Sequence, residues 1–372
     1  FARYLAEHPD TRCCFLSGTM AQRSILDFAK LLGWALGDGS PLPLHYPTLA
    51  EWAEALDLDG RRPAGALERL CGLGETPREG FRRRLRSAPG VVGATAGAKV
   101  RAALDVEHAA PPCPPEIKQA LRDVEQLMET PDGVELMSAL EVARVARQLR
   151  LGGYYVEQWP ADALDADIWA YKQARAGWAA VVREVLRRPR AGLDSPGLVA
   201  DAVRAGELRD GGALERFDAE RAVVSPLAPR WEWLTDEVFV WAACKARQSP
   251  RVVFVDCVPV GEAVAAAAGI PYYGAGDAAA VAIAGEDGTR SIVASIGAHG
   301  TGRNLQQFAD ALVLGGLPNG KQWEQLLGRL HRPGQRASVV TYQVTFAEDV
   351  RRAREQARFV AELIGNAQKL DP

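Results

Sequence analysis

The side chains with the most chemical potential sit in one string, Trp323-Glu324-Gln325-Leu326-Leu327-Gly328-Arg329-Leu330-His331-Arg332-Pro333-Gly334-Gln335. It reads as a short helix that stops at Pro333-Gly334, because proline and glycine end helices. Arg329 and Arg332 are three apart and point from one helical face. Two guanidiniums on one face suit an anion with several oxygens, such as a phosphate chain, since each is a planar fork of donors. Gln325 lies on the same side, four residues before Arg329. Gly328 leaves room for a backbone to approach closely. The plainer reading of an Arg-x-x-Arg pair is a solvated basic helix end, favoured by the negative dipole there.

A second string, Gly300-Thr301-Gly302-Arg303-Asn304-Leu305-Gln306, is a glycine-rich loop between an apolar run at 290–296 and a helical stretch. Such loops bring backbone N–H groups close to an anion or a partner backbone. A tight turn would also account for its two glycines. A third, Ser17-Gly18-Thr19, follows the apolar run 12–16, read as a buried parallel strand, and precedes a helix expected over 22–36. That order places hydroxyls at the carboxyl edge of a sheet, where open α/β folds bind ligands. Ser and Thr are also ordinary helix caps.

Taken together, the strings resemble a known family. Gln-x-x-Gly-Arg-x-His-Arg-x-Gly-Gln is similar to motif VI of superfamily two helicases of the DEAD/DEAH type, in the Swi/Snf branch. The 300–306 loop resembles their motif V, with Arg303 where a small or apolar residue is commoner. Ser17-Gly18-Thr19 resembles motif III. Trp34-Ala35-Leu36-Gly37, Pro41-Leu42-Pro43, Phe81-Arg82-Arg83-Arg84-Leu85, Gly152-Gly153-Tyr154-Tyr155 and Tyr272-Tyr273-Gly274 look like members of this class found in bacteriophages. The resemblance implies two RecA-like lobes of the P-loop NTPase superfamily that clamp ATP and step along nucleic acid. Arg332 would be the finger that reaches the γ-phosphate, Arg329 its companion, and Gln325 a nucleotide-positioning residue. Gly300, Gly302, Asn304 and Gly328 would line the nucleotide side. Ser17, Gly18, Thr19, Thr301 and Arg303 would couple that site to the strand, DNA rather than RNA. Walker A and Walker B, with the ligands for Mg2+, belong to the first lobe and would lie upstream of Phe1. On this reading the chain is the C-terminal part of an ATP-dependent helicase or translocase and has negligible ATPase activity alone. The competing class is a non-catalytic helicase-derived module that holds DNA or a protein.

The elements that must position these strings follow from pattern. Over 231–372, strands and helices alternate, which predicts a parallel sheet with crossovers, a RecA-like second lobe. Strands are expected at 251–255, 270–273, 290–296, 311–314 and 338–344, with helices at 262–268 and 349–363. Residues 1–108 are expected to be the end of the first lobe, and 109–230 a helical insertion entered through the proline-rich stretch 111–115. Helical periodicity runs over 116–128, 133–150 and 166–187. Phe81 to Arg86 concentrates four arginines, which suit either a solvated helix or a backbone-phosphate contact. Trp231, Trp233 and Trp241 suit base stacking or, more simply, packing of a helix on a sheet.

Bulk composition narrows the classes. The chain has 372 residues, 48% hydrophobic and 24% charged, with a net charge of −3. This is globular protein with no global basic field, so nucleic-acid contacts must come from local arginines. Six scattered cysteines without Cys-x-x-Cys spacing point to free thiols, a reducing cytoplasm and no zinc. No apolar run approaches a bilayer span. Gly315-x-x-x-x-Gly320-Lys321 mimics a P-loop but continues with Gln322 where Ser or Thr is needed. It reads as a loop; a stand-alone nucleotide binder using Lys321 is the weakest alternative. Gly93 to Lys99 and Asp236-Glu237 fail as Walker strings. His299 reads as a local hydrogen-bonding residue.

Overall fold

The computed structural model describes residues 2–16, 23–60, 67, 69–92, 100–134, 136, 139–187, 193, 195–365 and 368–370. The chain divides into two compact units, Phe1–Arg12 with Tyr154–Glu232, and Cys13–Gly153 with Trp233–Pro372.

The larger unit is built on a six-stranded parallel sheet. Its strands are β1 (Ala103–His108), β4 (Val252–Val255), β5 (Tyr272–Tyr273), β6 (Ile292–Ser295), β7 (Asp310–Leu314) and β8 (Val339–Val344), in the order β1-β8-β7-β4-β6-β5. The remaining strands, β2 (Gly153–Gln158) and β3 (Leu227–Trp233), pair with each other. β4 reads Val-Val-Phe-Val and is buried at every position, as expected of a central parallel strand covered on both faces. β1 and β5 lie at the edges. The helix Val258–Ala268 that leaves β4 stops at Gly269, whose φ of 69° is the left-handed conformation that glycine adopts without strain. A parallel sheet flanked by helices is the α/β architecture expected of a RecA-like lobe.

β1 corrects the expected organisation. Residues 103–108 were expected within the first lobe, yet they pair with β8 from Ala103↔Val339 to His108↔Val344. The helices Leu26–Leu36, Tyr46–Leu56 and Pro77–Ser87 also join this unit. Ile25, Phe28, Leu32, Leu56, Phe81 and Leu85 pack with Phe359, Val360 and Leu363 of the helix Ala347–Ile364. Helices Pro115–Gln126 and Ala139–Leu149, expected in the insertion, fall in the same unit. The expected strand at 12–16 does not form, and Leu16 is 93% exposed. An apolar run makes a strand only when its backbone groups join a ladder, and 12–16 joins none among the described residues.

The arginine-rich helix Pro77–Ser87 starts from a capping box. The Thr76 hydroxyl accepts from the Glu79 N–H, and the Glu79 carboxylate accepts from the Thr76 N–H. Its guanidiniums are spent inside the protein. Arg78 donates to the carbonyls of Leu56 and Asp57, Arg84 to Pro41, Arg82 to Glu362, Arg86 to Gly365 and Arg83 to Leu70. Several of these carbonyls close helix ends, so the cluster caps neighbours.

The smaller unit packs helices Asp165–Arg187, Pro196–Arg204 and Ala213–Val223 around Trp178, Val182, Val199 and Leu214. Trp231 on β3 meets Tyr155 on β2 edge-on, with centroids 5.0 Å apart. Within the larger unit, Trp233 meets Phe239 at the same separation. The second contact is the helix-on-sheet packing read for these tryptophans; the first is a pair across two strands.

All six cysteines are free. No helix among the described residues is long and apolar enough to cross a membrane.

Candidate functional site

The helix Gly320–Leu330 carries the first string. Asn319 caps it, its side-chain oxygen accepting from the Gln322 N–H at 3.0 Å. Trp323, Leu326, Leu327 and Leu330 are buried against the sheet, which fixes the opposite face outward. Arg329 and Arg332 therefore leave the core side at the helix end.

The two arginines have different fates. Arg329 is half-buried, and its guanidinium donates to the Gln325 carbonyl at 2.8 Å and to the Arg303 carbonyl at 2.7 Å. The Leu305 N–H returns a bond to the Arg329 carbonyl at 3.0 Å. The 300–306 loop and the helix are thus stitched into one piece. Burial, and then the neighbouring Arg332, lower the pKa of Arg329, although a guanidinium stays protonated. Among the described residues, Arg332 has no side-chain hydrogen bond or ion pair. Lys369 also feels Arg332 as a like charge. Arg329, Arg332 and Lys369 form a basic cluster at the amino-terminal edge of the sheet, because His331 next to them bonds to Ala102, the residue before β1.

The remaining expected site residues are dispersed in role. The Gly300 N–H closes the short helix Ile296–His299, and a Cβ there would meet the Ile296 carbonyl oxygen at 2.5 Å. That glycine is required by its own turn. Gly302 has a φ of 75°, which also favours glycine. Thr301 and Asn304 are exposed, and Arg303 is half-buried with its carbonyl held by Arg329. Among the described residues, a Cβ added at Gly328 would meet nothing closer than the Lys369 side chain at 3.6 Å, so packing within the described chain does not itself require glycine there. Gln325 contributes its carbonyl to Arg329. Ser17, Gly18 and Thr19 lie outside the described residues. His299 is 1% exposed and bonds through Nε2 to the Gly274 carbonyl at 2.8 Å; burial holds its pKa below the ordinary value, the local role expected of it.

The P-loop mimic is not a phosphate cradle. The Gly316 N–H is taken by Asp256 at 3.1 Å and the Gly320 N–H by the Gln356 side chain at 2.5 Å. Asp256 follows β4, and Gly315-Gly316 follow β7. These neighbouring strands send their next connections in opposite directions, so the crevice between them is the topological switch point where α/β folds usually bind ligands. Here the Arg147–Asp349 ion pair, 2.8 Å long, with Arg352 on the same carboxylate oxygen, sits against Gly316.

Sequence reasoning missed the neighbours that hold the motif helix from behind, Glu324 and Lys369. Glu324 is buried and accepts from the backbone N–H groups of Lys369 and Leu370 at 2.8 and 2.9 Å. A charged residue on the apolar side of an amphipathic helix was the available signal.

No family model matches the chain, and no curated protein matches it. Among solved structures, the chain is similar to the crystal structure of the C-terminal part of Fun30 ATPase domain, with 14% identity, 65% of this chain and 85% of that chain covered, and a TM-score of 0.33. The fold stated above stands on the strand pairing of this chain.

Proposed function

We propose that the chain is the finger-bearing lobe of an ATP-dependent DNA helicase or translocase, with the nucleotide shared between this lobe and a Walker-bearing lobe of the same protein. The observation that carries the reading is the contrast across the helix end: Arg329, on the last turn, is bound to the protein's own carbonyls, whereas Arg332, two residues past the helix, is left without a partner among the described residues. A guanidinium kept free beside other cations suits an anion brought from outside. The amino-edge position fits the same reading, since a lobe that contributes a finger needs no phosphate cradle of its own.

ATP with Mg2+ supplies the phosphoanhydride bond to be hydrolysed. Arg332 would meet the γ-phosphate, and Arg329 would hold the motif V loop in register with it. Gln325 would orient the nucleotide from the preceding turn. No residue of this chain is assigned to Mg2+; its ligands belong to the Walker-bearing lobe. DNA would be held mainly by backbone contacts that do not depend on sequence.

The test is DNA-stimulated ATPase of the intact parent protein beside its Arg332→Ala variant. Loss of an arginine finger removes roughly 10³-fold or more in rate, with DNA binding retained. An Arg332→Ala protein that hydrolyses ATP at the wild-type rate overturns the finger. The second reading, a non-catalytic DNA- or protein-binding module, draws on the absence of any phosphate cradle among the described residues. A parent protein that binds DNA but never hydrolyses ATP would establish it.

A further inference from the structure

Behind the motif helix lies a second arrangement that the proposed reaction does not require on its face. Glu324 is 8% exposed, and each of its carboxylate oxygens accepts one backbone N–H, from Lys369 and from Leu370. Leu370 is buried in the sheet's own hydrophobic cluster. The short segment is therefore anchored twice, by a carboxylate grip and by an apolar plug. Lys369 then reaches past Gly328 to the end of the helix. Its ammonium donates to the His331 carbonyl at 3.0 Å and lies 3.4 Å from His331 Nδ1. His331 Nε2 lies 2.9 Å from the Ala102 carbonyl, so Nε2 carries the proton and Nδ1 faces the ammonium as an acceptor.

The consequence falls on one residue. Arg332 directly follows His331, which caps the helix at a φ of −84° and a ψ of 86°. Three holds converge on His331: its N–H on the Leu327 carbonyl, its ring on Ala102, and its carbonyl on Lys369. A cation at the carbonyl end of a helix is favoured by the helix dipole. Here it also stands beside Arg332, a like charge, which a device built only for stability would avoid.

We propose that Glu324 and Lys369 are positioning residues for Arg332, the carboxylate fixing the segment and the ammonium fixing the backbone from which the finger departs. The inference rests on the reading of Arg332 as the finger. A finger displaced by about an ångström forfeits on the order of 10²-fold in rate. The effect belongs in kcat, because the finger acts on charge that develops during the reaction.

The experiment measures kcat, KM for ATP and thermal midpoint of the intact parent protein, with Lys369→Met, Lys369→Arg, Glu324→Gln and Arg332→Ala. Lys369→Met and Glu324→Gln are expected to lower kcat roughly 10- to 100-fold with KM within about threefold. Lys369→Arg, which keeps the cation, restores most of the rate. Lys369→Met is expected to cost nothing further in an Arg332→Ala background, because the two act as a unit. Variants that melt earlier yet keep the wild-type kcat overturn the inference and leave the finger standing. An Arg332→Ala protein with undiminished ATPase overturns both.

Discussion

Two stretches of this protein, the helix Pro77–Ser87 and the end of the helix Gly320–Leu330, use their arginines in opposite ways. Pro77–Ser87 holds Arg78, Arg82, Arg83, Arg84 and Arg86, and each one donates to a carbonyl or carboxylate of the protein. Gly320–Leu330 and its end hold only Arg329 and Arg332, and one of the pair is left free among the described residues. The longer run looks more like a phosphate-binding surface in sequence, but its donors face internal acceptors. A guanidinium that already closes a helix end must break that bond before it meets a phosphate. The difference teaches that satisfaction, and not number, decides whether arginines form an anion site.

The largest way to break this comparison is the pair Arg332→Ala and Arg84→Ala, assayed for ATPase in the parent protein. Arg332→Ala is expected to lose roughly 10³-fold or more, and Arg84→Ala to stay near wild type. Equal losses would erase the distinction between the helices. Arg329→Ala should fall between them and affect both properties. It frees the Arg303 and Gln325 carbonyls, costing about 1–3 kcal/mol in denaturant unfolding, and it loosens the loop that Arg332 stands beside. Arg78→Ala is expected to cost about 1–2 kcal/mol with no change in ATPase. It deletes two carbonyl contacts, the ion pair with Glu362 and the stacking over Phe359.

The sheet was legible from sequence because its strands are short apolar runs with glycine or proline punctuation. Val252–Val255 appears within one residue of the expected bounds. β1 was not legible: Ala-Leu-Asp-Val-Glu-His has no buried position and four of its six residues are exposed, so only its ladder to β8 defines it. The run 12–16 failed for the complementary reason: it is apolar but joins no strand ladder among the described residues, and its Phe15 ring lies against Trp34 instead. At the candidate site, the string named Arg329 and Arg332 together as one helical face, but the helix ends at Leu330 and Arg332 lies beyond its cap. Spacing says nothing of the acceptors each will meet, and Arg303 and Gln325 supply theirs as backbone carbonyls. Lys369 lies far along the chain from Glu324, so its grip could be seen only after folding.

The smallest expected effect sharpens the comparison through two histidines, His299 just before one string and His331 within the other. His299 and His331 both have pKa values held below the ordinary 6.5, chiefly by burial. His299 faces the Gly274 carbonyl and the charge of Arg303; His331 faces the Ala102 carbonyl and Lys369. A base whose folded pKa is depressed binds its proton more readily in the unfolded chain. Its stabilising contribution is complete above the unfolded value and is lost as pH falls through the folded one. Stability should therefore decline as pH drops below about 6.5. His299→Gln keeps a donor for Gly274 and removes one titrating group, so it should reduce that slope between about pH 7 and 5. The arginine-rich helix has no such histidine, and Arg84→Ala should leave the slope unchanged. An unaltered slope in His299→Gln would mean that the 300–306 loop accepts a charged ring beside it, and that the basic cluster around Arg329 and Arg332 is less confined than its geometry implies.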